Sequence, residues 1–294
     1  MASTLRIVGQ GSRTHRIVKG CPLPSRRDTS AQRQEQESAM SREHVQITRA
    51  DRVLRIVIDR PRKKNALTGE MYAAIADALL AAEADGELRV HYITATGSVF
   101  TAGNDMASFL HPEDGLTDVL RLLEVLRTLE KPLVVAVNGL AVGIGVTMLL
   151  HADLVYAAAT ATFRTPFVDL GVVPEAGSSL LMPAAMGYPR AARMLLLGET
   201  FDAQQAYDSL LISEVVPAVD LDAHATARAA ALARRAPAAV RATKALMRRA
   251  STALVKEQMD TEARIFRERL SSPELIETVT AFLEKRPPDF SSFE

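Results

Sequence analysis

The chain has 294 residues, with 35 basic and 35 acidic side chains and a formal net charge of zero, so no global field recruits nucleic acid or an anionic membrane. A single cysteine, Cys21, excludes an intramolecular disulfide framework, a zinc ribbon and a CxxC redox pair. The histidines (His15, His44, His91, His111, His151 and His224) fall in no HExxH or other ligand spacing, and no metal is expected.

Residues 1–40 differ in composition from the rest of the chain. The first 27 carry Arg6, Arg13, Arg16, Lys19, Arg26 and Arg27 and no acid. That composition fits a disordered basic tail, an Arg- and Ser-rich targeting extension, or sequence ahead of a natural start at Met40. It contains no apolar secretory core, which argues against secretion.

From about residue 41 a folded α/β pattern begins. "RVLRIVIDRP" (52–61) alternates like a strand and stops at a proline. "TGEMYAAIADALLAAEAD" (68–85) opens on an N-cap threonine and repeats apolar residues at 71, 75, 79 and 82, one face of a helix. "VHYITAT" (90–96) is a second strand, leading into the glycine loop "GSVFTAGND". Residues 116–130 have the period of an amphipathic helix. The uncharged run 132–150, "PLVVAVNGLAVGIGVTMLL", reaches membrane-span length, but Asn138-Gly139 interrupts it and Gly143 and Gly145 follow. A buried strand, a tight turn and a buried helix fit it better than a span. Residues 153–166 read as a strand with an extension, and beyond 185 the pattern is almost wholly helical. The expected organisation is a layered α/β core over 41–235 and a C-terminal helical module over 236–294.

Two loops suit a close approach of backbone to ligand: "VFTAGNDMASF" (99–109) and "NGLAVGIGVT" (138–147). Each is strand, glycine turn, helix. Two helix N-termini brought together present unpaired N–H groups to a developing oxyanion. The glycines are equally compatible with tight turns and nothing more. Neither loop matches GxGxxG or a Walker sequence.

Glu175, in "LGVVPEAGSSLLMP" (170–183), is an acid in apolar company. In the first turn of a helix it would be favoured by the dipole, which lowers its pKa. Burial among Phe167, Val172, Val173 and Leu180 would raise it. Catalysis requires that burial at least offset the dipole.

Four blocks in order, "RPRKKNALT" (60–68), "VFTAGNDMASF", "KPLVVAVNGLAVGIGVT" (131–147) and "PFVDLGVVPEAGSS" (166–179), resemble the crotonase superfamily of enoyl-CoA hydratases and isomerases, as does the ending "AFLEKRPPDF" (281–290). The resemblance covers about residues 45–290. It implies a repeated ββα superhelical core with a C-terminal α-helical oligomerisation module, an acyl-CoA substrate, and no cofactor beyond the CoA of the substrate itself. Carried over by position, it implies oxyanion-hole N–H groups at Asn104 and Ile144. It further implies a CoA adenine contact at Ala102, with Lys63 and Lys64 near the phosphates. The two glutamates of the family's hydratases are replaced by Thr147 and Phe167. "LGVVPEAGSS" instead resembles the Δ3,Δ2-enoyl-CoA isomerase branch, with Glu175 the acid/base and Ala176 where glycine is usual.

The leading expectation is therefore an isomerase moving a 3-enoyl double bond to position 2. Alternatives are another crotonase-type enzyme (a hydratase-like lyase or thioester hydrolase, with Asp105 or Asp169 as acid) and a silent acyl-CoA-binding scaffold. Asp105 fits better as a loop support. Apolar residues in excess along the C-terminal helices imply a homotrimer or dimer of trimers, unless they pack on the chain's own core. Leu210 stands where the family usually ends a helix with glycine, which puts that helix end in question. Ala- and Arg-rich composition leans towards a bacterial cytoplasmic protein, with an organellar matrix as the alternative.

Overall fold

The computed structural model describes residues 43–105 and 112–293. The expectations for residues 1–40 fall outside them.

The chain starts with a hairpin, β1 (Val45–Ala50) and β2 (Val53–Ile58), whose alternation sends Leu54, Ile56 and Ile58 into the core. Helix α1 (Gly69–Ala84) begins where Thr68 Oγ1 accepts the Met71 N–H at 3.4 Å, and it buries Met71, Ile75, Leu79 and Ala82 as the periodicity predicts. Next come β3 (Val90–Ala95), β4 (Val99–Thr101) and α2 (Pro112–Thr128), followed by β5 (Leu133–Val137), β6 (Leu140–Val142) and a one-turn α3 (Ile144–Thr147). β7 (Leu154–Ala158) and β8 (Thr162–Arg164) lead to α4 (Ser178–Met186) and α5 (Tyr188–Leu195). The core closes with β9 (Phe201–Asp202), α6 (Ala203–Asp208), β10 (Glu214–Val216) and α7 (Leu221–Ala233). Helices α8 (Pro237–Arg248), α9 (Thr252–Arg269) and α10 (Pro273–Glu284) follow.

Two sheets result. The larger runs β1-β2-β3-β5-β7-β10 and is parallel except for the β1–β2 hairpin; the smaller runs β4-β6-β8-β9, parallel except for β8–β9. Each of β3, β5 and β7 crosses directly into a short strand of the smaller sheet. This repeated ββ step, with helices returning the chain, is the superhelical α/β core expected from the resemblance. β5 is buried at all five positions, as a central parallel strand covered on both faces should be.

The differences from expectation lie in the short elements. Strands of two or three residues carry no readable period, so β4, β6, β9 and β10 had no signal in the sequence, and β1 also went unread. The apolar run 132–150 holds two strands and a single helical turn that tightens into a 3₁₀ segment, Met148–His151, where one strand and one helix were expected. Among the described residues no helix is long and apolar enough to cross a membrane.

Leu210 does not displace its helix end. Its φ is +60°, the left-handed conformation, and its N–H donates to Tyr207 O at 2.9 Å while Leu211 N–H donates to Ala206 O at 2.9 Å. That pair of bonds is a Schellman cap with leucine in the glycine position. The C-terminal helices pack on the chain's own core: α9 lies against α4, and α10 against the 3₁₀ turn Val168–Leu170.

Candidate active site

The segment 60–68 is a scaffold for the first glycine loop. Asn65, buried in the left-handed conformation (φ +55°), accepts the Arg60 N–H at 2.7 Å and donates to Thr96 O and Val99 O at 2.9 and 2.7 Å. Thr101 Oγ1 donates to Asn65 O at 2.7 Å and accepts the Gly103 N–H at 3.0 Å. Arg60 Nη1 reaches Asp105 Oδ2 at 2.6 Å, so Asp105 supports the loop as expected. Leu67 N–H donates to Gly103 O and Asp105 N–H to Leu67 O, both at 2.9 Å, a parallel bridge centred on Asn104. A residue at the centre of such a bridge turns its own N–H away from the partner strand, which leaves the Asn104 N–H on the opposite side.

The second loop is pressed on the first. A Cβ on Gly103 (φ +86°) would stand 2.9 Å from Val142 O, and one on Gly145 would stand 2.5 Å from Thr101 Cγ2. Glycine is required at Gly103 by the facing backbone and at Gly145 by the Thr101 methyl. Gly143 N–H donates to Arg164 O at 2.9 Å, and Gly143 O accepts from Val146 and Thr147. Ile144 follows as the first residue of α3, where a backbone N–H has no partner within its own helix. Asn104 and Ile144 are thereby placed on two adjoining turns. On the outer side, Ala102 N–H donates to Lys64 O at 2.9 Å, which joins Ala102 to the exposed pair Lys63 and Lys64.

Glu175 is not in the first turn of a helix. α4 starts at Ser178 with Gly177 as N-cap, so Glu175 sits ahead of it, in a turn where Ala176 (φ +63°) and Gly177 (φ +71°) are consecutive left-handed residues. The first-turn donors are taken by a different acid. Glu262, on α9, accepts the Gly177 N–H at 2.6 Å, the Ser179 N–H at 3.0 Å and the Ser179 hydroxyl. Glu175 is thus relieved of any capping role.

The Glu175 carboxyl is buried. One oxygen accepts the Thr147 hydroxyl at 2.5 Å, and the other, Oε2, has no hydrogen-bond partner among the described residues. Burial pushes its pKa up to about 8; the Thr147 bond opposes this and the Glu262 charge adds to it. Thr147 closes the same helical turn that Ile144 opens, so the hydroxyl that holds the carboxyl belongs to the turn whose first N–H is that of Ile144. Tyr72 on α1 is a buried phenol whose ionisation is opposed first by burial and then by the Glu175 charge. Behind the turn, His151 Nε2–H donates to Ala176 O at 2.8 Å, and burial pushes His151 down to about 4, so it is neutral.

Glu175 and Ala176 border a cavity of about 380 Å³ between α2 and α9. Its walls are mostly apolar (Leu116, Val119, Leu120, Leu123, Met259, Phe266), with charged residues at the rim. Thr147 and Phe167 are both buried, one on Glu175 and one in the apolar core. Asp169 pairs with Arg164 at 2.8 Å on the surface and takes no part. Residues with roles here that sequence reasoning missed are Asn65, Thr101, Tyr72 and Glu262. Asn65 lay inside a recognised block; Glu262 had no local signal.

The sequence profile of the enoyl-CoA hydratase/isomerase family matches residues 48–292. The chain is 35% identical over 251 residues to enoyl-CoA delta isomerase 2 of Rattus norvegicus, a match covering 83% of this chain but only 64% of that protein's length. It is 38% identical over 241 residues to a probable enoyl-CoA hydratase of Rhodobacter capsulatus, covering 80% of this chain and 93% of the relative. Among solved structures, an enoyl-CoA hydratase/isomerase from Pseudoalteromonas atlantica T6c is similar with a TM-score of 0.81 at 44% identity, over 84% of this chain and 100% of that one.

Proposed function

The chain belongs to the enoyl-CoA hydratase/isomerase family of the crotonase superfamily, and from that premise we propose that it moves the double bond of a 3-enoyl-CoA to the 2 position, with Glu175 as sole acid/base. The thioester carbonyl acidifies the C2 protons. The Glu175 carboxylate takes one of them, and the electron pair spreads into a dienolate. Its oxygen is held by the Asn104 and Ile144 N–H groups. The same carboxyl, now protonated, delivers the proton to C4, leaving the double bond conjugated at C2–C3 and the enzyme unchanged. Ala102, Lys63 and Lys64 face the CoA moiety. The proton shuttle calls for no metal or redox cofactor.

The observation that carries this reading is the state of Glu175: buried beside an apolar cavity, one oxygen without a partner among the described residues, its pKa near 8. A base must be near its working pH and free to meet substrate, and a carboxylate with every oxygen occupied meets neither condition. Relatives carry both isomerase and hydratase names. The hydratase reading calls for two glutamates that activate and orient water, and Thr147 and Phe167 stand at their expected positions.

The test is turnover of a 3-enoyl-CoA, followed as the conjugated 2-enoyl thioester, by wild type and Glu175→Gln. Wild type should convert it and the variant should lose about 10²-fold or more. A wild type that binds the thioester without converting it would overturn the proposal in favour of a silent acyl-CoA binder. We further place the protein in a bacterial cytoplasm and in a homotrimer, or a dimer of trimers, built through the exposed apolar residues of α8–α10 (Leu246, Met247, Leu254, Phe282).

A further inference from the structure

Resting on that reading, we propose that Glu262 is a positioning residue for Glu175: through it, helix α9 fixes the turn that carries the acid/base and places a second carboxylate behind it. Of the 18 residues of α9, those buried are Val255 and Glu262, seven positions apart and hence on one face. A glutamate pointing into protein from a mostly exposed helix needs polar partners there, because burial without them costs several kcal/mol. It finds three, all from the turn after Glu175: the Gly177 N–H at 2.6 Å, the Ser179 N–H at 3.0 Å and the Ser179 hydroxyl. Gln258, one helical turn earlier, donates to Ser179 Oγ at 2.8 Å and holds that hydroxyl in place.

The contact is tight. A Cβ on Gly177 would lie 3.3 Å from Val255 and 3.4 Å from Met259, so α9 sits directly on the turn. Two consecutive left-handed residues, one of them alanine, are strained unless their surroundings impose the conformation. Glu262 supplies that constraint from one side, and His151, through Ala176 O, from the other. Met259 and Phe266 of the same helix also wall the cavity that Glu175 borders. One helix therefore shapes the pocket, holds the turn and charges the site.

The groups facing Glu175 from the packed elements are Tyr72 on α1, Thr147 on α3 and Glu262 on α9, with Glu124 of α2 and Lys256, Asp260 and Arg267 of α9 around the cavity. Of the rim charges, Glu124 is paired with Arg127 outside the cavity lining, and Lys256 with Asp260. Burial raises the pKa of the Glu262 carboxyl too, against the Ser179 and Gly177 bonds that favour its charge, and once ionised it acts on Glu175 from within protein. Its effect is to hold Glu175 protonated to higher pH.

The experiment compares wild type with Glu262→Gln and Ser179→Ala. Two readouts are taken: the pH profile of kcat/KM on a 3-enoyl-CoA, and the Glu175 carboxyl titration by ¹³C NMR, assigned with Glu175→Gln. In Glu262→Gln the midpoint should fall by about half a unit or more in both readouts, with KM within about twofold and kcat reduced by about tenfold. In Ser179→Ala, which keeps the Glu262 charge, the midpoint should not fall, while kcat drops. Superposable midpoints in wild type and Glu262→Gln would overturn the proposal, as would a kcat unchanged in both variants. An NMR midpoint that falls in Glu262→Gln, from a wild type that isomerises nothing, would overturn the isomerase reading and uphold the coupling of the two carboxyls.

Discussion

Two buried polar clusters in this protein obey opposite rules. Between α1, β3, β5 and α8, the charged groups are each hydrogen-bonded. His91 Nε2 meets Glu83 Oε1 at 2.7 Å, Lys131 Nζ donates to Ala82 O and Asp85 O, and Lys244 Nζ donates to Lys131 O and Asp153 Oδ2, both at 2.8 Å. Burial opposes the ionisation of Glu83, but bonds from His91 and the Lys131 N–H outweigh it and hold that carboxyl below its usual range. At Glu175 the balance is reversed. A single hydroxyl serves one oxygen, nothing among the described residues serves the other, and burial wins. In the first cluster each carboxylate and ammonium is bonded, and only the imidazole Nδ1 of His91 lacks a partner among the described residues; in the second the orphan atom belongs to the carboxyl itself, and that is where chemistry belongs.

The contrast is broken most directly by removing one member from each cluster. Lys244→Ala leaves the half-buried Asp153 carboxylate with the Leu133 N–H at 2.8 Å and Arg248 at 3.6 Å. Chemical denaturation should show a loss of about 2–3 kcal/mol, the lost charge-assisted bond together with the vacated space of a buried side chain. Glu175→Gln should move stability the other way. Its carboxyl titrates near 8 when folded against an ordinary 4.5, so between those values the folded state holds a proton that the unfolded state releases. Stability then falls as pH rises from 4.5 to 8 and is level beyond. The Gln variant should lack that slope and exceed wild type by on the order of 4 kcal/mol at pH 8, with no advantage at pH 4. Equal slopes in the two proteins would mean that Glu175 ionises freely in the folded state.

The same group sets a smaller effect on rate. Only the ionised form removes the C2 proton, so kcat/KM should climb roughly tenfold per pH unit from about pH 6 and level near 8. A flat profile over that range would assign the proton transfer to another residue.

Long elements were legible because periodicity needs length: α1, β2, β3 and β5 announced themselves, and β4, β6 and β9 were too short to do so. The first and second glycine loops were legible as places of close approach, and the structure shows why, since Gly103 and Gly145 each leave room for the other loop's backbone or side chain. Glu175 was legible as an acid in apolar surroundings. Its context was misjudged by three residues: with α4 starting at Ser178, dipole and burial do not compete at Glu175 as the sequence suggested. Glu262 was illegible. It is one acid among many on a charged helix, 85 residues from the Gly177 N–H it binds, and only the tertiary fold distinguishes it from its exposed neighbours.

Left-handed backbone at non-glycine residues offers the finest version of the comparison. Leu210 and Ala176 both stand near φ +60° where the family resemblance predicts glycine. Leu210 is 74% exposed at a helix cap, so its side chain contributes little packing to set against the strain. Ala176 is buried, its carbonyl held by His151 and its neighbour held by Glu262. Relief of strain is worth about 1–2 kcal/mol and added chain entropy returns about half of it. Leu210→Gly should therefore raise stability by roughly 0.5–1 kcal/mol, read as an increase in Tm, and leave turnover unchanged. Ala176→Gly relaxes the same strain but loosens the turn that aims Glu175, so a similar change in Tm should come with a lower kcat. If both variants left kcat untouched, the turn would be a connector that happens to carry an acid, and the placement of Glu175 would owe nothing to its strained neighbours.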